Sequence, residues 1–387
     1  MTDIIINVAP HEIASQPLAL GSRLVSDFFD YMNSQNFAWV VMNNYEDLPW
    51  VIPSDIDFSV PPELFHRLDR FVEGFAQQTG SLIVQKLWHG NMKCAYILAI
   101  GSKIERAFVQ LDFFTAFSTK GCPALLPHDV LVGGRRAFRN FHVPRPEVEL
   151  VFTAMRRLFK DDWSKRHCDR IAELNHRITT PDWLPSRYCW MRATLEAATE
   201  GKVEKVKASR DSDWVQLKQT AKANLSFYKL IANLTLQTKR IAVRLRDETG
   251  QLIVLTGPLE SIGSVALETL ELVFHRHMVL DEKVLEGGMY TLLAKLAILK
   301  RRKGLIFILA RPGNSRTVTL ARKLDRIGLV DQVLIPKGTG KDLPGLKSPV
   351  SCFSSSTDAL ESIIAVQTAK AARAMMRGGT QTSASGV

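Results

Sequence analysis

The sequence predicts an α/β protein in three parts, with an N-terminal mixed sheet, a middle helical bundle and a C-terminal parallel sheet. Residues 20–146 contain several apolar runs of strand length, and one of them, Val51–Val60, carries two aspartates one residue apart. Residues 147–248 change to the apolar spacing of helices, and residues 250–377 begin with an apolar strand, a glycine-containing loop and a helix. Gly, Ser and Thr dominate residues 378–387, which predicts a disordered tail.

The composition is that of a globular protein. The chain has 387 residues, which is typical of two or three domains, and no apolar run approaches the length of about 20 residues that a membrane helix needs. The formal net charge of +11 comes entirely from the part after residue 150, but no zinc finger or RNP signature accompanies it. We therefore expect no nucleic acid partner, and we assign the excess of positive charge to solvated helix faces or to a surface that meets phosphates or acidic lipid headgroups.

The five cysteines form no C-x-x-C pair and the N-terminus lacks the basic start of a signal peptide, so we expect a cytoplasmic protein with reduced thiols.

The N-terminal part alternates between helices and strands. An amphipathic helix is predicted over Arg23–Ser34, a strand over Phe37–Met42, and a second helix over Glu63–Thr79, which ends where Gly80 supplies a left-handed cap. Three further strands are predicted: Leu82–Trp88, Cys94–Ile100 and Ala107–Phe114.

The paired aspartates indicate a metal site. In a strand, residues i and i+2 point to the same face, so Asp55 and Asp57 project together. Two adjacent carboxylates repel each other unless a cation lies between them, and Mg²⁺ prefers oxygen ligands. Asp112 lies in another apolar strand, and if the two strands are neighbours, three carboxylates converge as two-metal phosphoryl or nucleotidyl transfer requires. The alternative is that Asp55 and Asp57 are solvated carboxylates at a strand end and that Asp112 is unrelated to them.

A helix, a strand, a loop into a D-x-D strand and a third aspartate together resemble the nucleotidyltransferase superfamily, over about residues 20–160. The resemblance implies a nucleotidyltransferase-like domain in residues 20–146 that transfers a nucleotidyl group from a nucleoside triphosphate to an acceptor hydroxyl. Asp55 and Asp57 would bridge Mg²⁺ and the triphosphate, and Asp112 would ligate the metal nearest the attacking oxygen. The superfamily's Gly-Ser or Gly-Gly turn is replaced by residues 43–49, and only Ser54 directly precedes the first aspartate.

A second candidate for phosphate binding is the pair Arg135 and Arg136, which follows two glycines. Guanidinium groups pair bidentately with phosphate oxygens, so these arginines are candidates for a triphosphate clamp. A basic hairpin turn in water is an equally good interpretation of the same residues.

The middle part, residues 147–248, is interpreted as a helical bundle that contains a linker. The charged stretch Glu200–Asp213 is the best linker candidate, and the helices are equally suited to pack on a second copy of the chain or on another partner. The predicted helices are Glu147–Lys160, Lys165–Ile178, Ser186–Thr199, Trp214–Leu225 and Tyr228–Asp247.

The third part begins with strand Leu252–Leu255 and continues into the loop that contains Gly257 and Gly263 and into helix Ala266–His275. Strand, glycine loop and helix form the frame of a phosphate-binding P-loop, G-x-x-x-x-G-K-[ST]. Five residues separate the two glycines instead of four, and Ser264 stands where the motif has its lysine. The motif is therefore degenerate.

The whole of residues 250–377 resembles a thymidylate-kinase-like P-loop domain. Strand Leu305–Leu309 ends in Ala310-Arg311, where that family has Asp-Arg. Because the P-loop lysine, the metal-binding hydroxyl and this aspartate are missing, phosphoryl transfer would lack its main electrostatic contributions, and we interpret this part as a pseudokinase. The remaining predicted elements are helix Leu285–Lys300, helix Thr317–Ile327, strands Gln332–Ile335 and Val350–Phe353, and helix Thr357–Met376.

Two functions follow from these observations. The first is Mg²⁺-dependent nucleotidyl transfer to an unknown acceptor. The paired nucleotidyltransferase-like and kinase-like parts resemble bacterial surface-polysaccharide biosynthesis proteins, which implies a glycan setting. The second is a non-catalytic pseudoenzyme that serves as a scaffold or regulatory partner in a biosynthetic assembly.

Overall fold

The computed structural model describes residues 19–102, 105–119, 122–160, 162–179, 184, 186–223, 227–247, 249–271, 273–274, 276–280, 289–301, 303–310, 315–338, 343 and 345–379. It confirms the mixed α/β class, with a mixed sheet in the N-terminal part, helices in the middle and an all-parallel sheet in the C-terminal part. Within the described residues, no helix has both the length and the apolar character needed to cross a membrane.

Five strands form the N-terminal sheet, in the order β1-β2-β5-β4-β3. Strands β2 and β5 run parallel, and the other neighbours are antiparallel. The elements up to β5 are α1 (Leu20–Asn33), β1 (Val40–Val41), β2 (Ile56–Ser59), α2 (Pro62–Phe65), α3 (Leu68–Thr79), β3 (Leu82–Gly90), β4 (Lys93–Gly101) and β5 (Arg106–Phe114).

An aromatic core holds α1 against one face of this sheet. Phe28 of α1 is fully buried, and its ring centroid lies 5.2 Å from that of Phe58 and 5.9 Å from that of Phe113. Phe58 and Phe113 stack on each other at 5.4 Å, and they are directly paired in the β2–β5 register. This stacking helps to fix the parallel register that brings the acidic residues on the opposite face together.

Two predictions of local structure in this part need correction. The strand predicted over Phe37–Met42 pairs only at Val40–Val41, and the helix predicted over Glu63–Thr79 is interrupted between α2 and α3. The predicted left-handed cap is confirmed, because Gly80 has φ 66°.

Two hairpins and a short helix complete the N-terminal part, and the middle part that follows is helical. The predicted linker Glu200–Asp213 is wrong, because the chain is helical from Val203 to Ala223. Val206, Asp213 and Leu217 recur at helical spacing and are buried, so one packed face stabilises a helix despite the charged residues around it. The elements are β6 (Ala116–Thr119), β7 (Cys122–Pro127), α4 (His128–Val132), β8 (Arg136–Phe138), β9 (Phe141–Val143), α5 (Pro146–Lys160), α6 (Lys165–His176), a 3-10 turn (Ser186–Met191), α7 (Arg192–Thr199), α8 (Val203–Ala223) and α9 (Phe227–Arg246).

The C-terminal sheet is parallel throughout, in the order β11-β12-β10-β13-β14. Strand β11 was not predicted, and the last helix extends to Gly379, two residues into the predicted tail. The rest of the tail, residues 380–387, and Arg311 lie outside the described residues. The elements are β10 (Gln251–Leu255), a 3-10 turn (Leu259–Ser261), α10 (Ser264–Glu271), β11 (Arg276–Leu280), α11 (Met289–Arg301), β12 (Gly304–Leu309), α12 (Ser315–Arg326), β13 (Gln332–Pro336), β14 (Val350–Phe353) and α13 (Ser356–Gly379).

The two sheets are packed together through α13. Val84 and Ile97 of the N-terminal sheet belong to the same buried cluster as Leu334 and Ile363 of the C-terminal part. At the edge of this contact, Arg106 forms a 2.6 Å ion pair with Glu361 of α13. The C-terminal part therefore covers a portion of the N-terminal sheet face.

Candidate metal centre

The β2–β5 register brings the three predicted aspartates together. Asp57 and Asp112 are directly paired in the parallel strands, and Asp55 lies immediately before β2. Each of the three contributes a carboxylate oxygen to a group whose members lie within 4.8 Å of one another. Asp57 and Asp112 are buried, and Asp55 is half-buried. The interpretation of these aspartates as unrelated, solvated carboxylates does not fit this geometry.

Two cationic side chains lie directly on these carboxylates. The Lys93 Nζ atom is 2.8 Å from Asp112 Oδ2 and 3.9 Å from Asp57 Oδ1. From α5, Arg156 Nη1 donates a hydrogen bond of 2.5 Å to Asp57 Oδ2 and another to Asn43 Oδ1. Gln110 Nε2 donates to Asp112 Oδ1 at 2.8 Å. Protein cations therefore offset part of the repulsion among the three acids.

The pKa values of the ionisable groups at this site are shifted by their burial and by the neighbouring positive and negative charges. Burial raises the pKa of Asp57, against the opposite effects of Arg156 and Lys93. Burial also opposes the charge on Lys93, but Asp112 and Asp57 outweigh it, and the pKa of Lys93 is raised. Lys303, in the turn before β12, belongs to the same electrostatic neighbourhood, because burial lowers its pKa to about 8 while Asp112 and Asp55 act in the opposite direction.

The donor set fits a divalent cation. Three carboxylates that converge within 4.8 Å offer the hard oxygen ligands that Mg²⁺ prefers. A metal at this point would share its carboxylate oxygens with Lys93 and Arg156 or replace those contacts.

Lys93 and Arg156 were not identified from the sequence as part of this site. Gln110 shares the face of Asp112 at spacing i, i+2, which is a signal that was available, whereas Lys93 lies near a hairpin turn and Arg156 on a distant helix.

The other predicted binding residues have different surroundings. Ser54 Oγ donates to the Oδ1 atom of its neighbour Asp55 at 3.1 Å. Arg136 Nη2 donates to Glu149 Oε2 at 2.9 Å and to the Tyr45 hydroxyl at 2.7 Å, in a partly buried network that includes none of the three aspartates. Arg135 is half-buried, and its Nη1 atom has no hydrogen-bond partner among the described residues. Neither arginine forms an ion pair with Asp55, Asp57 or Asp112.

The glycine loop of the C-terminal part packs closely against its neighbours. A Cβ atom on Gly257 would lie 2.5 Å from Pro336 Cγ, and one on Gly263 would lie 3.0 Å from Ser356 Cβ. Gly263 also has φ +81°, a conformation that favours glycine. Ser264 is exposed at the first position of α10. Both glycines are therefore explained by backbone packing, without reference to a phosphate.

Comparisons with known proteins give little further information. No family model matches the chain, and no curated protein sequence matches it. A crystal structure described as that of a candidate nucleotidyltransferase from H. pylori aligns with 57% of this chain and 100% of its own, at 11% identity and a TM-score of 0.25. A TM-score this low carries no argument about the fold or the activity. The structural findings are thus the mixed α/β fold and an aspartate cluster compatible with a metal ion.

Proposed function

We propose that this chain is a metal-dependent nucleotidyltransferase that uses a nucleoside triphosphate and an acceptor hydroxyl. The observation that supports the proposal is the convergence of Asp55, Asp57 and Asp112 on one face of a mixed sheet. Mg²⁺ is the proposed ion, held by these three carboxylates. When bound, it would neutralise phosphate charge and orient the triphosphate for in-line displacement.

The cations around the aspartates give the site a second chemical capacity. Lys93 and Arg156 lie on the acids. Burial, together with Arg156 and Arg157, lowers the pKa of Lys160, while Asp55 and Asp57 act in the opposite direction. Phosphate oxygens are acceptors for such donors, so a triphosphate would be held by these side chains as well as by the ion. The proposed setting is bacterial polysaccharide biosynthesis, which rests on the resemblance of the paired nucleotidyltransferase-like and kinase-like parts alone.

A second candidate function is a non-catalytic scaffold, and the same cations favour it. Lys93 and Arg156 offset two of the three negative charges without any metal, so the acid cluster is compatible with a purely structural role. The degenerate P-loop, interpreted as part of a pseudokinase, points in the same direction. The enzyme proposal expects nucleotide binding that depends on a metal ion, and the scaffold proposal expects none.

The test compares the wild type with the double variant Asp57→Asn/Asp112→Asn. Binding of the four nucleoside triphosphates is measured by calorimetry with Mg²⁺ and with EDTA, and pyrophosphate release is followed with cell extract as the source of acceptor. Asp27→Asn serves as the matched control, because Asp27 is exposed on α1. The enzyme proposal expects Mg²⁺-dependent binding in the wild type and the control, lost in the double variant. Binding that is equal in all three proteins, or no binding and no pyrophosphate release in the wild type, refutes it.

A further inference from the structure

A cleft of about 220 Å³ lies at the junction of the N-terminal sheet, the end of α9 and the C-terminal helix α13. We call it the junction cleft. Its walls include Gln85 and Lys86 of β3, Arg246 at the end of α9, and Arg373 of α13. Strand β4 separates β3 from β5, so the cleft is about 10 Å, or two strand spacings, across the sheet from Asp112. It is therefore distinct from the aspartate cluster.

Basic side chains dominate the lining. Five cations and one carboxylate face the cleft: Lys86, Arg246, Lys370, Arg373, Arg377 and Asp247. Three of the cations project from α13 at positions i, i+3 and i+7, which places them on one side of the helix. This arrangement creates a positive field directed into a concave site, where an anion is favoured.

Some of the basic side chains that line the cleft are paired with an acidic residue, but among the described residues Arg373 is not. Lys86 pairs with Asp69 at 2.6 Å, Arg246 with Asp247 at 2.8 Å, and Lys370 with Asp331 at 2.6 Å. Arg373 is exposed and forms no ion pair with any residue in the described part of the chain. Its guanidinium group is therefore available to an anionic ligand, and it matches the bidentate geometry of phosphate oxygens.

A second, independent observation points to a ligand. Gln85 is 1% exposed, and its Nε2 atom donates to the Thr249 carbonyl at 2.7 Å. Its Oε1 atom is buried without a hydrogen-bond partner among the described residues, although Gln85 lines the cleft. An unpaired buried acceptor is costly, and a donor on a bound molecule would remove that cost.

We propose that the junction cleft binds a small phosphorylated molecule that carries a hydroxyl or amino group close to its phosphate. The phosphate would interact with Arg373 and its basic neighbours, and the hydroxyl or amino group would donate to Gln85 Oε1. At about 220 Å³ the cleft is smaller than the roughly 300–1,000 Å³ of ordinary ligand pockets, which favours a sugar phosphate or a mononucleotide over a polymer. No metal is needed, because the protein supplies the positive charge.

The test uses the full chain in EDTA, so that the aspartate cluster takes no part in it. Calorimetric titrations with glucose 1-phosphate, AMP and inorganic phosphate are compared with a titration with glucose. The two organic phosphates distinguish a sugar phosphate ligand from a nucleotide ligand. Arg373→Gln is expected to weaken the binding of the preferred organic phosphate about 10- to 100-fold, because a charge-assisted contact is lost. Arg326→Gln, an exposed arginine on α12, is the matched control and is expected to leave binding unchanged.

Gln85→Met gives an independent readout. It is expected to weaken the organic phosphate while leaving inorganic phosphate unaffected, since only the former needs the Gln85 acceptor. Two results overturn the proposal: no saturable binding of any phosphate at millimolar concentrations by the folded wild type, or equal losses in Arg373→Gln and Arg326→Gln. Because nucleoside triphosphate binding at the aspartates requires metal, failure here leaves the proposed nucleotidyl transfer unaffected.

Discussion

Replacement of Arg136 by glutamine is expected to destabilise the fold. Replacement of a residue that served only as a phosphate clamp would weaken nucleotide binding and leave the stability unchanged. Arg136 Nη2 donates to Glu149 Oε2 at 2.9 Å, and Arg170 Nη2 donates to Glu149 Oε1 at 2.6 Å. The Glu149 side chain is only 2% exposed, and it also accepts a 2.7 Å hydrogen bond from Tyr45. Burial, with Glu149 beside the ring, raises the pKa of Tyr45, so its hydroxyl remains a donor at neutral pH. Arg136 is thus one of three donors to a buried carboxylate.

The magnitude follows from what each substitution leaves behind. Arg136→Gln removes one charge-assisted contact while Arg170 still compensates Glu149, which costs about 1.5–3 kcal/mol. Glu149→Gln leaves two guanidinium groups around an uncharged amide and costs about 3–5 kcal/mol. At about 2–4 °C per kcal/mol for a cooperative unit of 150–250 residues, Arg136→Gln lowers the unfolding midpoint by about 3–12 °C.

Thermal and urea unfolding of the purified variants measure this effect. Arg135→Gln is the matched control, because Arg135 precedes Arg136 in the chain and forms no ion pair with a described acidic residue. The control is expected to unfold within about 2 °C of the wild type, as is usual for a change of under ~0.5 kcal/mol. An Arg136→Gln protein with unchanged stability and weakened nucleotide binding would refute the structural role and restore the phosphate-clamp interpretation.

Three other predictions concern stability. Phe28→Ala is expected to cost about 3–5 kcal/mol in urea unfolding, because it leaves a cavity beside Phe58 in the fully buried aromatic core, and an effect below 1 kcal/mol would contradict that packing. Gly257→Ala is expected to lower the thermal midpoint through a cost of about 1–3 kcal/mol, since its Cβ would meet Pro336 at 2.5 Å, and an unchanged midpoint would show that the strand end moves freely. Burial lowers the pKa of His128, so the folded state binds fewer protons than the unfolded state, and the free energy of unfolding is expected to fall as pH decreases through 6.5. His128→Gln should flatten that part of the stability–pH curve, and an unchanged slope would exclude His128 as its source.

The strand content and the acid cluster were predictable for the same physical reason. An aspartate in an apolar strand is costly unless it has a partner, so Asp57 and Asp112 were recognisable as candidates for one site, on the condition that their strands are neighbours, which the β2–β5 pairing meets. Their cationic partners were not predictable, because Lys93 and Arg156 reach the cluster with long, flexible side chains from a hairpin and a helix. No periodicity in the sequence relates these residues to Asp57.

Charged stretches misled the sequence reasoning in two places. Gly-Gly-Arg-Arg has the composition of a solvated turn, but Arg136 reaches inward to Glu149 because that glutamate lies on the buried side of α5. The stretch Glu200–Asp213 has the composition of a linker, but two apolar residues and Asp213 share one helical face that packs inward. In both cases tertiary burial of a few side chains outweighed the average polarity of the segment.

The relative exposure of the two cations on the acid cluster separates their roles. The Arg156 side chain is 14% exposed and also bonds Asn43, so movement away from Asp57 would break two partly buried contacts. The Lys93 side chain is 42% exposed, so its ammonium group keeps contact with water, but the Asp112 side chain that it pairs with is only 4% exposed and needs a cation beside it. Under the proposed nucleotidyl transfer, Lys93 is therefore the cation whose contact with Asp112 would give way to a bound ion, while Arg156 would continue to orient Asp57. Phosphate oxygens accept hydrogen bonds from ammonium groups, so the side chain that neutralises Asp112 in the absence of an ion would also be a donor for the triphosphate.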